Sequence, residues 1–326
     1  MTISRAVAAL LAVLVAAGCT AEEKPPPAPA AYPAPSALTG SVGAHDPAVV
    51  KRPDGSYLVA YTGNNIALKT SKDRTDFTDA DSAFPDGAPW TTPYTAGSTT
   101  LWAPDLSYHG GKYLMYYSAS TFGSNHSAIF LATSGTSAAG NPGTWKNEGL
   151  VIESTKADNY NAIDPNLFVD DSGRWWLTFG SFWSGIQQIE LNPSTGKPLG
   201  RTVVTIAGRG GGAIEAPFLF KHGAFYYLYV SFDRCCQGAS STYRIMVGRS
   251  NSPTGPFADR DGTAMVDGGG TEILAGHEAI HGPGHEAVLA EADGDVLFYH
   301  YYIDSGASQL GVNLLGYDAG GWPQVR

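Results

Sequence analysis

"DPNLFVDDSGRWWLTFGSF", Asp164–Phe182, joins two apolar runs of strand length through the turn residues Asp170–Gly173. Aromatic and β-branched residues on both sides of an Asp-Ser-Gly turn read as a β-hairpin. The hairpin opens on an acid held by a proline. Proline fixes its own φ, carries no N–H and biases the residue before it towards extended backbone. Asp164-Pro165 therefore predicts a strand start where the hydrogen-bond ladder stops and one carboxylate is aimed.

The same sentence recurs along the chain. "HDPAVVKRPDGSYLVAYTG" begins at His45, "APDLSYHGGKYLMYYSAS" at Ala103, "APFLFKHGAFYYLYVSFD" at Ala216 and "GHEAVLAEADGDVLFYHYY" at Gly284. A third strand follows in "SAIFLATS" after His126 and in "TYRIMVGRS" after Ser241. From about Val42 onward there is almost no helical periodicity. Five antiparallel units at roughly fifty- to seventy-residue intervals predict radial stacking. A β-sandwich would use the same strand signals without placing a polar residue at the same phase of each unit. The expected fold is all-β, a single-domain five-bladed β-propeller over residues 40–326. First strands of blades line the central axis, so the residues that open them converge at one mouth. At the repeat phase these are Asp46, Asp105, Asp164, Glu215 and His285.

Composition narrows the function. With 43% hydrophobic and 15% charged residues in 326, the chain folds around a large core and is not disordered. A formal charge of −10 disfavours nucleic acid or an anionic membrane surface as partner and suits a neutral substrate. The N-terminal "MTISRAVAALLAVLVAAGC" carries one basic residue and an apolar run too short to span a bilayer. It reads as a signal peptide, residues 1–19. Gly18-Cys19 reads either as a lipoprotein box, with Cys19 lipidated and tethering the protein to the cell surface, or as an ordinary cleavage site. Residues 20–39 read as a Pro/Ala-rich linker. The implied product is exported, extracellular or lipid-anchored, and monomeric. Cys235 and Cys236 are adjacent, so a bond between them closes a small ring; they are either so oxidised or two small buried side chains.

Clustered carboxylates repel, so one of them holds its proton more tightly than it would in water. Glycoside hydrolysis needs that division: one carboxyl protonated to donate to the leaving oxygen, another ionised to activate water. Glu215, between the glycines of "RGGGAIEAP" and a buried strand, is placed for such use.

"HDPAV", "WAPDL", "NAIDPNLFVDDSGRWWLTFGSFWSGI", "IEAPFLFKHGAFYYLYVSFDRCCQG", "STYRIMVGRS" and "GPGHEAV" resemble the motifs of glycoside hydrolase family 43, in its endo-α-1,5-L-arabinanase branch. The resemblance runs from about Gly40 to the C-terminus. It implies a five-bladed propeller and inverting hydrolysis of arabinan. It implies Asp46 as general base, Glu215 as general acid and Asp164 as the carboxylate that raises and orients the acid. It places substrate against Asp46, Trp102, Phe122, Gly123, Asn161, Ala162, Ile163, Asp164, Ser181, Phe182 and Trp183. It also implies a metal, usually calcium, on the propeller axis, with His285 as the single protein ligand. From sequence alone His285 reads first as a satisfied structural histidine, which the resemblance reverses; Glu286 beside it either strengthens the cation site or faces solvent, and Asp105 is structural or supports the site from behind. Exo-acting arabinofuranosidase or β-xylosidase action on the same fold, and non-catalytic glycan binding, are the rival readings.

Overall fold

The computed structural model describes residues 32–326, residue 139 excepted. The signal peptide, Cys19 and the linker up to residue 31 lie outside the described residues.

Five sheets follow one another along the chain, each built from one contiguous stretch except that Gly63–Asn64, within the blade 1 stretch, pairs with Thr100 and Leu101 of blade 2. Blade 1 carries Ala48–Lys51, Tyr57–Tyr61, Ala67–Ser71 and Asp76–Ala80 from axis to rim. Blade 2 carries Thr100–His109, Lys112–Ala119, Ser127–Gly135 and Lys146–Ser154. Blade 3 runs Asn166–Val169, Trp175–Phe179 and Ile186–Asn192, with two short strands, Lys197–Pro198 and Val204–Ala207, beside the last. Blade 4 holds Ile214–His222, Phe225–Phe232, Arg244–Ser250 and Thr271–Leu274. Blade 5 holds His281–Glu291, Gly294–Tyr302, Ser308–Tyr317 and Pro323–Val325. The opening hairpin pairs Asn166 with Thr178 through Val169 with Trp175, as its alternation requires. The five-bladed propeller is the fold.

The core is divided as the blades are. One apolar cluster fills each interface: Leu58 and Met115 between blades 1 and 2, Leu131 and Leu177 between 2 and 3, Ile186 and Leu228 between 3 and 4, Tyr229 and Leu297 between 4 and 5. The fifth cluster, with Val59, Phe77, Phe298 and Leu310, joins blade 5 to blade 1 and closes the ring. First and second strands are covered largely on both faces, so they read as near-continuous apolar runs rather than as clean alternation, while rim strands such as Asp76–Ala80 stay partly exposed.

Residues 32–39, assigned from composition to the linker, belong to the domain. Tyr32 donates its hydroxyl hydrogen to Glu272 (2.7 Å), the Ser36 N–H donates to the Val312 carbonyl (2.8 Å), and Thr39–Gly40 pairs in parallel with Asp76–Phe77. Proline and alanine describe a segment that cannot build its own core; they do not distinguish a free tether from one laid along a sheet edge.

Candidate active site

A cavity of about 670 Å³ opens where the first strands converge, lined by residues of all five blades and the loops between them. Its geometry starts from one backbone device used in every blade. Asp46, Ala103, Asp164, Ala216 and His285 all have φ between 45° and 57°, in the left-handed region. In blades 2, 4 and 5 the ladder slips at this point, between Trp102 and Asp105, Glu215 and Phe218, and Gly284 and Ala287. Each is a bulge that bends the strand at the cavity mouth, at a cost of about 1–2 kcal/mol per left-handed residue. This corrects the extended conformation expected before proline. Proline bars the right-handed helical region at the preceding residue, and the bulge takes the left-handed one.

The five bulge N–H groups are satisfied by a ring of contacts, each to the preceding blade. Asp46 N–H donates to His300 Nδ1 (3.1 Å), Ala103 to Thr62 Oγ1 (2.8 Å), Asp164 to Ser118 Oγ (3.0 Å), Ala216 to Asp164 Oδ2 (3.1 Å) and His285 to Ser231 Oγ (2.9 Å). The true repeat phase is therefore Asp46, Ala103, Asp164, Ala216 and His285. Asp105 lies two residues further in, off the cavity, where it accepts from the Asn166 amide (3.0 Å) and the Leu167 N–H (2.9 Å). It ties blade 2 to blade 3, and burial pushes its carboxyl up to about 6.

Asp46, Asp164 and Glu215 line the one cavity. Glu215 accepts from Ser181 Oγ (2.6 Å) and Tyr243 Oη (2.8 Å), one on each oxygen. Burial raises its pKa, the two hydroxyls pull it back, and the Asp46 charge raises it again. Asp164 is raised well above the carboxylate range, by burial first and by Glu215 second. Desolvation, more than Asp164, keeps a proton on Glu215. Asp46 is the opposite case. Burial would push it up, but His45, then His285 and His300, hold it well below the usual range. His45 Nδ1 lies 2.9 Å from Asp46 Oδ2 with its N–H off the line to the oxygen, and His285 Nδ1 lies 3.2 Å from Oδ1. Among these imidazoles only His45 is itself raised, Asp46 outweighing its burial; burial lowers His285 and His300. Thr62 Oγ1 donates to Asp46 Oδ2 (2.6 Å). The site thus holds one ionised carboxylate facing two protonation-prone ones.

Of the residues assigned to substrate, Trp102, Phe122, Gly123, Asn161, Ile163, Ser181, Phe182 and Trp183 line the cavity. Phe122 is 80% exposed and stands edge-on to Trp102, and Trp183 is 36% exposed. Large apolar faces left open beside carboxylates are surfaces for the apolar faces of sugar rings. Asn161 is buried with its Oδ1 unpartnered. Ala162 does not reach the cavity; it is fully buried and its N–H donates to Ser154 Oγ (2.9 Å). His45, Thr62, Arg234 and Gln237 also line the cavity, and Tyr243 touches Glu215, none of them singled out by sequence. Cys235 and Cys236 are bridged, and the bridge lies in the cavity wall.

His285 fits a metal ligand. With Nδ1 against Asp46 and burial keeping the ring neutral, its Nε2 makes no hydrogen bond among the described residues, the state a coordinating imidazole needs. His45, Asp46 and His300 lie close enough to share an ion, but His300 Nδ1 already accepts the Asp46 N–H and His45 Nε2 contacts Tyr302 Oη (2.7 Å). Glu286 does not face solvent. It is buried, its Oε2 accepts from Ser231 (2.9 Å), and burial pushes it up to about 8.

A propeller that brings one carboxyl with a lowered pKa and two with raised ones to an aromatic-walled cleft has the parts of an enzyme that hydrolyses glycosidic bonds. Sequence comparison agrees: the model of glycosyl hydrolases family 43 matches residues 39–323, and the chain belongs to that family. It is 44% identical to the extracellular endo-α-(1→5)-L-arabinanase 1 of Bacillus subtilis, over 86% of each chain. It is 38% identical to the extracellular exo-α-(1→5)-L-arabinofuranosidase of Cellvibrio japonicus, over 87% of this chain and 86% of that one. The solved endo-arabinanase of Bacillus licheniformis superposes with a TM-score of 0.82 at 42% identity, covering 88% of this chain and 99% of its own.

Proposed function

We propose that the protein is an exported endo-α-1,5-L-arabinanase that hydrolyses the arabinan backbone with inversion. The observation that carries the reading is the split of protonation states: Asp46 held ionised among imidazoles, Glu215 and Asp164 buried and proton-retaining, all on one cavity. Asp46 takes a proton from the attacking water. Glu215, its pKa raised first by burial, gives one to the leaving glycosidic oxygen, and Asp164 accepts the Ala216 N–H that follows it. Inversion requires room for that water, a base–acid separation of about 6.5–9.5 Å; a separation of ~5 Å belongs to retention. Trp102, Phe122 and Trp183 stack furanose rings. His285 would hold calcium, which supplies a fixed positive charge beside the carboxylates. The names of the two extracellular relatives support export.

Product analysis on debranched arabinan tests the reading. A rapid fall in viscosity with a ladder of oligosaccharides is the expected result, and release of arabinose alone turns the assignment to exo action, which the Cellvibrio relative represents. Glu215→Ala separates an enzyme from a glycan binder: turnover is lost and oligosaccharide binding persists.

A further inference from the structure

The Cys235–Cys236 disulfide lies in the cleft wall, and neither the fold nor the chemistry above uses it. What it touches leads to the base. The Cys236 N–H donates to Tyr302 Oη (2.9 Å), and the same hydroxyl stands 2.7 Å from His45 Nε2. Cys236 Sγ is 3.8 Å from that nitrogen. The His45 ring stacks on His300 with centroids 4.0 Å apart, and its Nδ1 is the atom against Asp46 Oδ2. From a covalent bridge in the wall to the carboxylate there is one unbroken line of contacts.

We propose that the bridged Cys235–Cys236 turn is a positioning element for Asp46, acting through Tyr302 and His45. The inference rests on Asp46 being the base. Donor counting gives the line its direction. Because the Cys236 N–H occupies a lone pair of the phenol oxygen, the phenol's own hydrogen is free to go to His45 Nε2, which leaves the ring's other proton on Nδ1, the nitrogen 2.9 Å from Asp46 Oδ2. A second proton on the ring leaves that N–H in place. Cys236 sits at φ 67°, a left-handed conformation that an unbridged cysteine leaves easily. Closing the small ring between neighbouring side chains keeps the peptide, and hence its N–H, aimed at Tyr302. Thr62 grips the same carboxylate oxygen that His45 faces, so loss of His45's orientation frees the carboxylate to swing about Thr62. A base that must line up water tolerates little such freedom, since an error of about 1 Å costs about a hundredfold.

The test measures kcat and KM on linear arabino-oligosaccharides for three perturbations. These are Tyr302→Phe, Cys235→Ser with Cys236→Ser, and the folded wild type treated with a phosphine, which takes the bridge to two thiols. The third needs no variant to fold, and near-UV circular dichroism checks that the fold persists. The proposal expects kcat to fall about tenfold in each, the worth of one hydrogen-bonded link, with KM within about twofold. It also expects reduction to add almost nothing in Tyr302→Phe, where the line is already cut. Multiplying effects, a change confined to KM, or an unchanged kcat would each overturn it. Asp46→Asn keeps the two readings apart. If that variant turns over normally, the base assignment fails. If it is inactive while Tyr302→Phe keeps full kcat, only the positioning line fails.

Discussion

Removing one hydroxyl from the acid's surroundings should make the enzyme work further into alkaline solution. Tyr243 Oη donates to Glu215 Oε1 at 2.8 Å and Ser181 Oγ to Oε2 at 2.6 Å, so both oxygens are served as acceptors, which favours the ionised form. Burial pushes Tyr243 itself well above the usual phenol range, so it stays a donor throughout. A hydrogen bond to a charged group is worth about 1.5–3 kcal/mol against about 1 kcal/mol for a neutral one. Tyr243→Phe therefore removes about 0.5–2 kcal/mol that favours ionised over protonated Glu215, centred on about one pKa unit. The sign follows from the acid's role. Turnover needs the protonated carboxyl and is lost as pH rises through its already raised pKa, so the alkaline limb of kcat/KM moves up by about one unit. The plateau falls, because the ring no longer anchors the carboxyl. The assay is kcat/KM on a short arabino-oligosaccharide across pH at fixed ionic strength. A limb that stays put or moves down refutes the assignment of Glu215 as the proton donor, or of Tyr243 as its restraint.

Gly284→Ala should reproduce part of that phenotype from the other side. A Cβ there would stand 2.1 Å from Tyr243 Cδ1, so the ring must shift off Glu215; a loss of about 1–3 kcal/mol in urea unfolding should accompany an upward move of the alkaline limb. Asp105→Ala should cost about 3 kcal/mol of stability, because two buried donors of blade 3 lose their acceptor, while kcat of the folded enzyme is unchanged. In the wild type the Asp105 contribution has a sign of its own: raised to about 6, its carboxyl supports folding fully below its unfolded pKa, and that support is lost as pH rises through about 6. Asp105→Ala should flatten this part of the stability–pH curve. Chelation should lower the rate, and added calcium should restore it; a rate indifferent to chelator, or a His285→Ala protein that binds calcium undiminished by calorimetry, removes the metal from His285.

How much was legible in the chain follows from where each signal is written. Strand, turn and repeat are local, so "DPNLFVDDSGRWWLTF" announces a hairpin, and five such announcements announce a propeller. The phase of the repeat is less secure, because acidity was a poorer ruler than proline. Ala103-Pro104 and Ala216-Pro217 align with Asp46-Pro47 and Asp164-Pro165, and that alignment would have set Asp105 two residues past the mouth. Glu215 escapes the rule by one residue, because it precedes its blade's bulge instead of occupying it. Tyr243, His300 and Tyr302 were invisible for a different reason. His300 and Tyr302 sit on a second strand and Tyr243 just before a third, where aromatic residues are ordinary core; His300 and Tyr302 become part of the site because blade 1 leans on blade 5, and Tyr243 reaches Glu215 within its own blade.

That leaning also explains why the site is both acidic and buried. Each bulge N–H is taken by a side chain one blade back, and at two of the five stations a charged or ionisable group serves: Asp164 for Ala216, His300 for Asp46. The groups that hold the backbone at Asp46 and next to Glu215 are thus the same groups that lock the ring shut between blade 5 and blade 1 and between blades 3 and 4. A propeller closed in this way cannot relax one carboxylate without loosening a blade junction. Stability and proton placement are therefore coupled in this fold. Substitutions at the bulge partners Thr62, Ser118 and Ser231 should lower melting temperature and turnover together, whereas changes to Phe122 or Trp183, which touch only the cleft, should lower substrate affinity alone.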